Sequence, residues 1–289
     1  MKDFKEIYSK RKRREKLFII LSLFFITFAL MSLLILIIDV LFDGYSVLSL
    51  KFLTSYPSRK PEEAGILSAL VGSVYVLVIM ILFIVPIGIG AAIYLEEFAP
   101  KNSITNFIEV NIVNLAGVPS IIYGLLGLEI FVRFLNLGRS ILAGALTLSL
   151  LVLPNVIIAA REAIKLVPYS IREASLALGA TKWQTVRHQV LPVALPGILT
   201  GIILAVSRAI GETAPLITIG ALTYIAFLPS TPLSPFTVLP IQIFNWISRP
   251  QKMFHKNAAG AIIILLFLTI MLNLTAIILR NYYKSKYRL

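Results

Sequence analysis

The run Ser-Ile-Arg-Glu-Ala-Ser-Leu-Ala-Leu-Gly-Ala-Thr-Lys-Trp-Gln-Thr-Val-Arg-His-Gln-Val-Leu-Pro, residues 170–192, is a polar island between two long apolar runs. Ser170 with Glu173, and Thr181 with Gln184, have the spacing of a capping box, in which two side chains close a helix start reciprocally. Gly179 lies between them, where a first helix would end in a left-handed residue. The spacing predicts a short helix, a glycine turn and a second helix, standing outside the bilayer on a membrane protein. A loop that only joins two spans needs no capped helices, so this one is predicted to dock onto something. The alternative is an ordinary amphipathic helix pair lying at the interface.

The rest of the chain explains why a bilayer is invoked. Of 289 residues, 58% are hydrophobic and 14% charged, against about 25% charged in soluble domains. The apolar residues cluster in runs longer than the roughly 18 residues that span a membrane. The formal charge of +13 on its own would suggest nucleic acid. Most Lys and Arg instead flank apolar runs, where they set topology. No nucleic-acid partner is therefore expected, and membrane lipid is. Cysteine is absent, which excludes disulfides and thiolate metal sites. His188 and His255 sit near span ends and read as surface residues, so neither a metal nor a cofactor is expected. No phosphate loop of the Gly-x-x-x-x-Gly-Lys-Ser/Thr type occurs, and no His-Glu-x-x-His supports an intramembrane enzyme. Gly88 and Gly90 lack the third glycine of a dinucleotide fingerprint and read as helix-packing residues.

Six spans are predicted: 17–41, 65–94, 107–135, 140–164, 193–227 and 258–280. The fold class is all-α, with a basic segment 1–16 before the spans, a transmembrane unit 17–280 and a basic tail 281–289. The first run is too long for a signal peptide and lacks a cleavage site, so it is read as a retained anchor. The basic stretch before it has the composition to lie on an anionic leaflet. Pro86, Pro119, Pro154, Pro196 and Pro215 fall inside the runs, where freed carbonyls need other partners. With the amino terminus inside, 18 of the 27 Lys and Arg fall on the inner side, 8 outside, and Arg208 within a span. The positive-inside rule then places both termini and the island in the cytoplasm. The segment after the second span fits least, because Glu96 and Glu97 outnumber Lys101. Between the fifth and sixth spans, Pro229, Pro232, Pro235 and Pro240 oppose regular helix, and the aromatic content predicts a segment folded back on the mouth of the bundle.

A charge at membrane depth costs at least about 2.5–3.5 kcal/mol, so Arg208 is a functional candidate. Glu212, four residues on, shares its helical face and can pair with it. Planar guanidinium donors match the oxygen pairs of a tetrahedral oxyanion, and a paired carboxylate would moderate the grip. A pair that only pins two helices is the other reading. Thr213-Ala-Pro215 follows directly and is predicted to bend or break the helix. Asn111 and Asn114, three apart, either line an inner vestibule or bond between helices, and Ser120 and Tyr123 pose the same choice.

These residues also carry a resemblance. Glu173-Ala174-Ser175, Gly179 and Leu191-Pro192 resemble the EAA loop of ABC-transporter permeases, with Ser175 where a second Ala is usual. Arg208-Ala-Ile-Gly-Glu-Thr-Ala-Pro215 resembles the signature of the phosphate-specific PstA family of permeases. So do Phe52 to Gly65, Pro86 to Glu97 and Ala116 to Gly124. The resemblance implies a type I ABC importer permease (MetI-like) fold whose island is a cytoplasmic coupling helix. Glu173, Ala174, Leu178, Gly179 and Ala180 would meet a dimer of cytoplasmic PstB-like ATPase subunits, which hydrolyse the ATP. Arg208, Glu212, Thr213, Asn111 and Asn114 would line the pathway shared with a PstC-like permease. Residues 59–65 would face an extracytoplasmic PstS-like phosphate-binding protein, and the location would be a prokaryotic inner membrane. Alternatives are the PstC-like partner itself, a permease for molybdate or sulfate, or an ATP-independent anion channel or carrier.

Overall fold

In lipid every backbone N–H and C=O must be paired within the protein, and the apolar runs meet this demand as helices. The computed structural model describes residues 2–221 and 224–286. Its helices are α1 (Lys2–Tyr45), α2 (Leu50–Thr54), α3 (Leu67–Ile93), α4 (Ser103–Ala116), α5 (Ser120–Gly127) and α6 (Ile141–Lys165). They continue with α7 (Tyr169–Ala177), α8 (Lys182–Thr185), α9 (Leu191–Ile210), α10 (Ala214–Thr218), α11 (Leu239–Ile247) and α12 (Lys252–Lys286). Single π-helical stretches extend α3 (Tyr94–Phe98), extend α5 (Leu128–Phe134) and join α8 to α9 (Val186–Val190). Five stretches are long and apolar enough to cross a membrane, and the pair α4 and α5 with its extension, bent by 105°, makes a sixth when it is counted as one span.

The breaks in the spans follow from glycine and proline together. Pro119 has no N–H to give the Leu115 carbonyl four residues back, and Gly117 caps the end of α4 just before it. The chain turns there, and the Tyr123 hydroxyl donates to Leu115 O at 2.7 Å. Pro215 likewise deprives the Gly211 carbonyl, and Gly211 caps the end of α9. The Thr213 hydroxyl donates to Gly211 O at 3.4 Å. The fifth span, 193–227, therefore breaks where Thr213-Ala-Pro215 predicts it: α9 ends at Ile210, and α10 begins a new segment. Pro86, Pro154 and Pro196 lie inside unbroken helices, and none has a glycine in the turn before it.

Two expectations change. The basic stretch before the first span continues α1 as helix instead of turning along a leaflet. The proline-rich segment does fold back, burying Phe236, Val238 and Trp246. It also contains the nine-residue helix α11, because Pro240 falls at its start, where a missing N–H costs nothing.

Helix α6 is the axis of the bundle. Its apolar window is 67% buried, while those of α1 and α12 are 0% buried within the chain. Met80 and Ile84 of α3, Leu148 and Val152 of α6, and Val206 of α9 form the middle of the core. Phe52, Trp246 and Phe254 close one end; Ile93, Ile164, Val186 and Val190 close the other. Small residues set how near α9 comes to α6. A Cβ on Gly197 would lie 2.7 Å from the Ala163 Cβ, and one on Gly201 would lie 2.3 Å from the Ala159 Cβ. Four apart on one face, these glycines make the close-approach seam of membrane helices. Gly201→Val should force the helices apart and cost about 1–3 kcal/mol, seen as a lowered Tm of the detergent-solubilised chain, whereas Leu204→Val on the exposed face should leave Tm nearly unchanged.

Candidate functional site

The island folds as a helix, a glycine turn and a second helix. Its first helix starts differently from the expected capping box. Pro168 occupies the cap with no side-chain hydrogen bond, and its carbonyl already accepts from Ile171 N at 3.2 Å. Ser170 thus lies inside the first turn, and Ser170–Glu173 is not a capping box. The second box is present: Thr181 Oγ1 accepts from Gln184 N at 3.3 Å, and Gln184 Oε1 accepts from Thr181 N at 2.8 Å. Gly179 has φ +84°. Gly179 N donates to Leu176 O and Ala180 N to Ser175 O, at 2.9 and 3.2 Å, the paired bonds of a Schellman end.

The second helix is not a separate body. From α8 the chain passes through the π-helical stretch straight into α9, one continuous span Lys182–Ile210. Pro192 cannot donate to His188 O, and the register shifts there: Leu191 N donates to Val186 O, five residues back.

Glu173, Ala174, Ala177, Leu178 and Gly179 are exposed and Ala180 is half-buried. Leu178 is 90% exposed, with Leu176 and Trp183 also open. Leu176, Leu178 and Trp183 thus stand open in an otherwise polar segment, and patches of that kind often mark sites of contact.

Residues that sequence reasoning passed over hold this surface in place. Arg172 of α7 donates through Nε and Nη2 to Glu97 Oε1 at 3.0 and 2.7 Å, and through Nη1 and Nη2 to the carbonyls of Val167 and Ile164 at 2.6 and 3.0 Å. Arg161 of α6 bridges Glu96 and Glu109 at 3.0 and 2.8 Å. Lys182 stands 5.1 Å over the Phe98 ring, whose centroid is 6.4 Å from that of Trp183. Ser175 and Thr185 hydroxyls meet at 2.9 Å between α7 and α8. A signal was present in the sequence: two acids at a span end that the charge rule could not absorb call for cationic partners.

At the end of α9, Arg208 Nε lies 3.3 Å from Glu212 Oε1, with side chains 46% and 17% exposed. The pair forms although Glu212 is already beyond the helix. Arg208 shares its open face with Leu204, and the residue before it, Ser207, ties α9 to α12 through Asn273. Tyr123 is the residue that staples the α4–α5 break, and a Cβ on the next residue, Gly124, would meet Pro215 Cα at 2.8 Å. Thus the segments 116–124 and 208–215 meet, and the two broken helices converge just beyond the last turn of α9, which carries Arg208. Thr213 serves the break through its bond to Gly211 O.

Asn111 and Asn114 are exposed on α4. Asn111 Nδ2 donates to Phe107 O at 2.8 Å. Among the described residues no hydrogen bond joins either asparagine to Arg208 or Glu212, or to another helix.

Residues 84–289 match the family model described as binding-protein-dependent transport system inner membrane component. The probable ABC transporter permease protein YqgI of Bacillus subtilis (strain 168) is 39% identical over 207 residues, 71% of this chain and 70% of that protein. The phosphate transport system permease protein PstA of Pasteurella multocida (strain Pm70) is 32% identical over 267 residues, 92% of this chain and 94% of that protein. A solved chain of the MetNI methionine ABC transporter, in an inward-facing conformation, superposes with a TM-score of 0.59 at 18% identity, covering 73% of this chain and 94% of that chain. That likeness is one of fold.

The glycine turn gives a separable test. A Cβ at Gly179 would meet nothing within 4 Å, so Gly179→Ala meets only the left-handed backbone penalty of about 1–2 kcal/mol. Amide exchange over residues 180–185 should quicken in Gly179→Ala and much less in Gly179→Asn, with global Tm little changed in either.

Proposed function

Since this chain belongs to the family of binding-protein-dependent transport system inner membrane components, we propose that it is the PstA-type permease subunit of an ATP-driven importer of inorganic phosphate. The observation that carries the substrate class is the Arg208–Glu212 pair, held where two broken helices converge on a face this chain leaves open. Irregular backbone at membrane depth is tolerated where it lines a cavity. A guanidinium that is half-exposed there cannot be left to lipid without a cost of at least about 2.5–3.5 kcal/mol. A homologous PstC-like permease covers that face, and a polar path runs between the two. Arg208 draws a tetrahedral oxyanion through paired N–H donors. Glu212 already occupies Nε, which weakens the hold and allows the anion to leave.

The basic excess on one side orients the chain with both termini and the α7–α8 island in the cytoplasm. The open apolar face of α7, with Leu178 foremost, meets the PstB-like ATPase dimer, and the opposite end around residues 59–65 faces the PstS-like phosphate-binding protein. Closure of the ATPase dimer on ATP displaces α7 and α8, and the unbroken rod from α8 through α9 delivers that displacement to Arg208.

Two substitutions separate the roles. Arg208→Gln in the assembled complex should abolish phosphate uptake into proteoliposomes while all subunits still co-purify; uptake at the unmodified level would return the pair to a structural role. Leu178→Asp should release the ATPase subunits on affinity purification, and their full retention would remove α7 from the docking surface.

A further inference from the structure

The rod from α8 to α9 carries motion to one broken span only. Arg208 sits where two breaks meet, and the second, between α4 and α5, has no such rod. The π-helical stretch Tyr94–Phe98 supplies the missing connection. Within five residues it touches three elements: Glu96 holds Arg161 of α6, Glu97 holds Arg172 of α7, and Phe98 lies against Lys182 and Trp183 of α8. Arg161 in turn reaches Glu109 of α4, the helix that ends at the Gly117–Pro119 break.

We propose that the Arg172–Glu97 pair is a positioning link that makes the second and third spans follow the coupling helix, so that both breaks beside Arg208 move in one stroke. The proposal rests on the reading that α7 is the surface the ATPase moves. Three features of the pair suit it to that task. Its side chains are only 13% and 8% exposed, so salt screens it little. Arg172 spends Nε, Nη1 and Nη2 on one carboxylate oxygen and two carbonyls, and a guanidinium so held has a fixed direction as well as a fixed length. The receiving residues are π-helical, a turn that occurs inside α-helices frequently at functional sites. Arg161 extends the link by joining Glu96 to Glu109, so a displacement of α7 is passed through α3 and α6 to α4. A contact needed only for docking would lie on the exposed face of α7 with Leu178; Arg172 lies on the opposite, half-buried side.

The test compares ATP hydrolysis and radiolabelled phosphate uptake in the same proteoliposomes, with the complete complex and the phosphate-binding protein. Glu97→Gln and Arg172→Gln should each raise the ATP consumed per phosphate transported by about fivefold or more, the scale of losing one coupling interaction, with the ATPase subunits retained. Glu129→Gln, which breaks the exposed pair with Arg133, should leave the ratio unchanged. An unaltered ratio in both link variants would overturn the proposal. Loss of the ATPase subunits from them would overturn it as well, by making the pair an assembly contact. Should the glutamine variants fail to fold, the absence of native cysteine permits Glu97→Cys with Arg172→Cys in a cysteine-free complex. Bridging the two thiols with a short bis-methanethiosulfonate should restore a coupling that is low before bridging, and a ratio indifferent to the bridge would contradict the link. Failure of the docking reading shows separately, as full ATPase retention in Leu178→Asp.

Discussion

Two adjacent carboxylates at the end of a membrane span, Glu96 and Glu97, have to be neutralised, and the way they are neutralised organises one whole end of the molecule. Left unpaired at that depth they would each cost several kcal/mol. Each has instead recruited an arginine from a different helix, Arg161 from α6 and Arg172 from α7. The result is that α3, α4, α6 and α7 are joined by charge where α8 is joined by an aromatic contact. The apolar cluster of Ile93, Ile164, Val186 and Val190 lies beneath. Packing there fixes distance, and the ion pairs fix direction. An outward-facing α7 with Leu178 free is the consequence.

The same logic of an unmet demand explains the middle of the bundle. A proline inside a span orphans the carbonyl four residues before it. Where a glycine stands in the preceding turn the helix gives way, as at Gly117–Pro119 and Gly211–Pro215, because glycine adds about 1 kcal/mol of its own reluctance to be helical. The Gly211 carbonyl is then taken by the Thr213 hydroxyl, and the Leu115 carbonyl by Val118 N and the Tyr123 hydroxyl. Both breaks lie beside Arg208. In the proposed function, an anion site is assembled from irregular backbone that the membrane would otherwise forbid.

Much of this was legible in the residues themselves. Apolar run lengths located the spans, Thr181 with Gln184 marked a true helix start, and Gly179 marked the left-handed turn. Arg208 and Glu212 announced a pair through their spacing. What was not legible depended on partners distant in sequence. Glu97 and Arg172 are separated by 75 residues, and no local pattern connects them. Ser170 misled because a capping box is a local rule, and Pro168 had already set the helix start. Hydropathy ran the fifth span on to 227 because it does not register a missing N–H, but Thr213-Ala-Pro215 marked the break. The glycine before Pro215 was the available clue, and the intact helices around Pro86, Pro154 and Pro196 show that proline alone is not sufficient.

The family, the fold and the two sites describe a chain that transmits motion and shapes half a path, with the energy supplied elsewhere. That claim is tested most directly by phosphate flux into proteoliposomes, comparing the purified chain alone with the complex of both permeases and the ATPase, supplied with the binding protein. The account predicts ATP-dependent accumulation by the complex and none by the isolated chain. Phosphate flux through the isolated chain without ATP would contradict it.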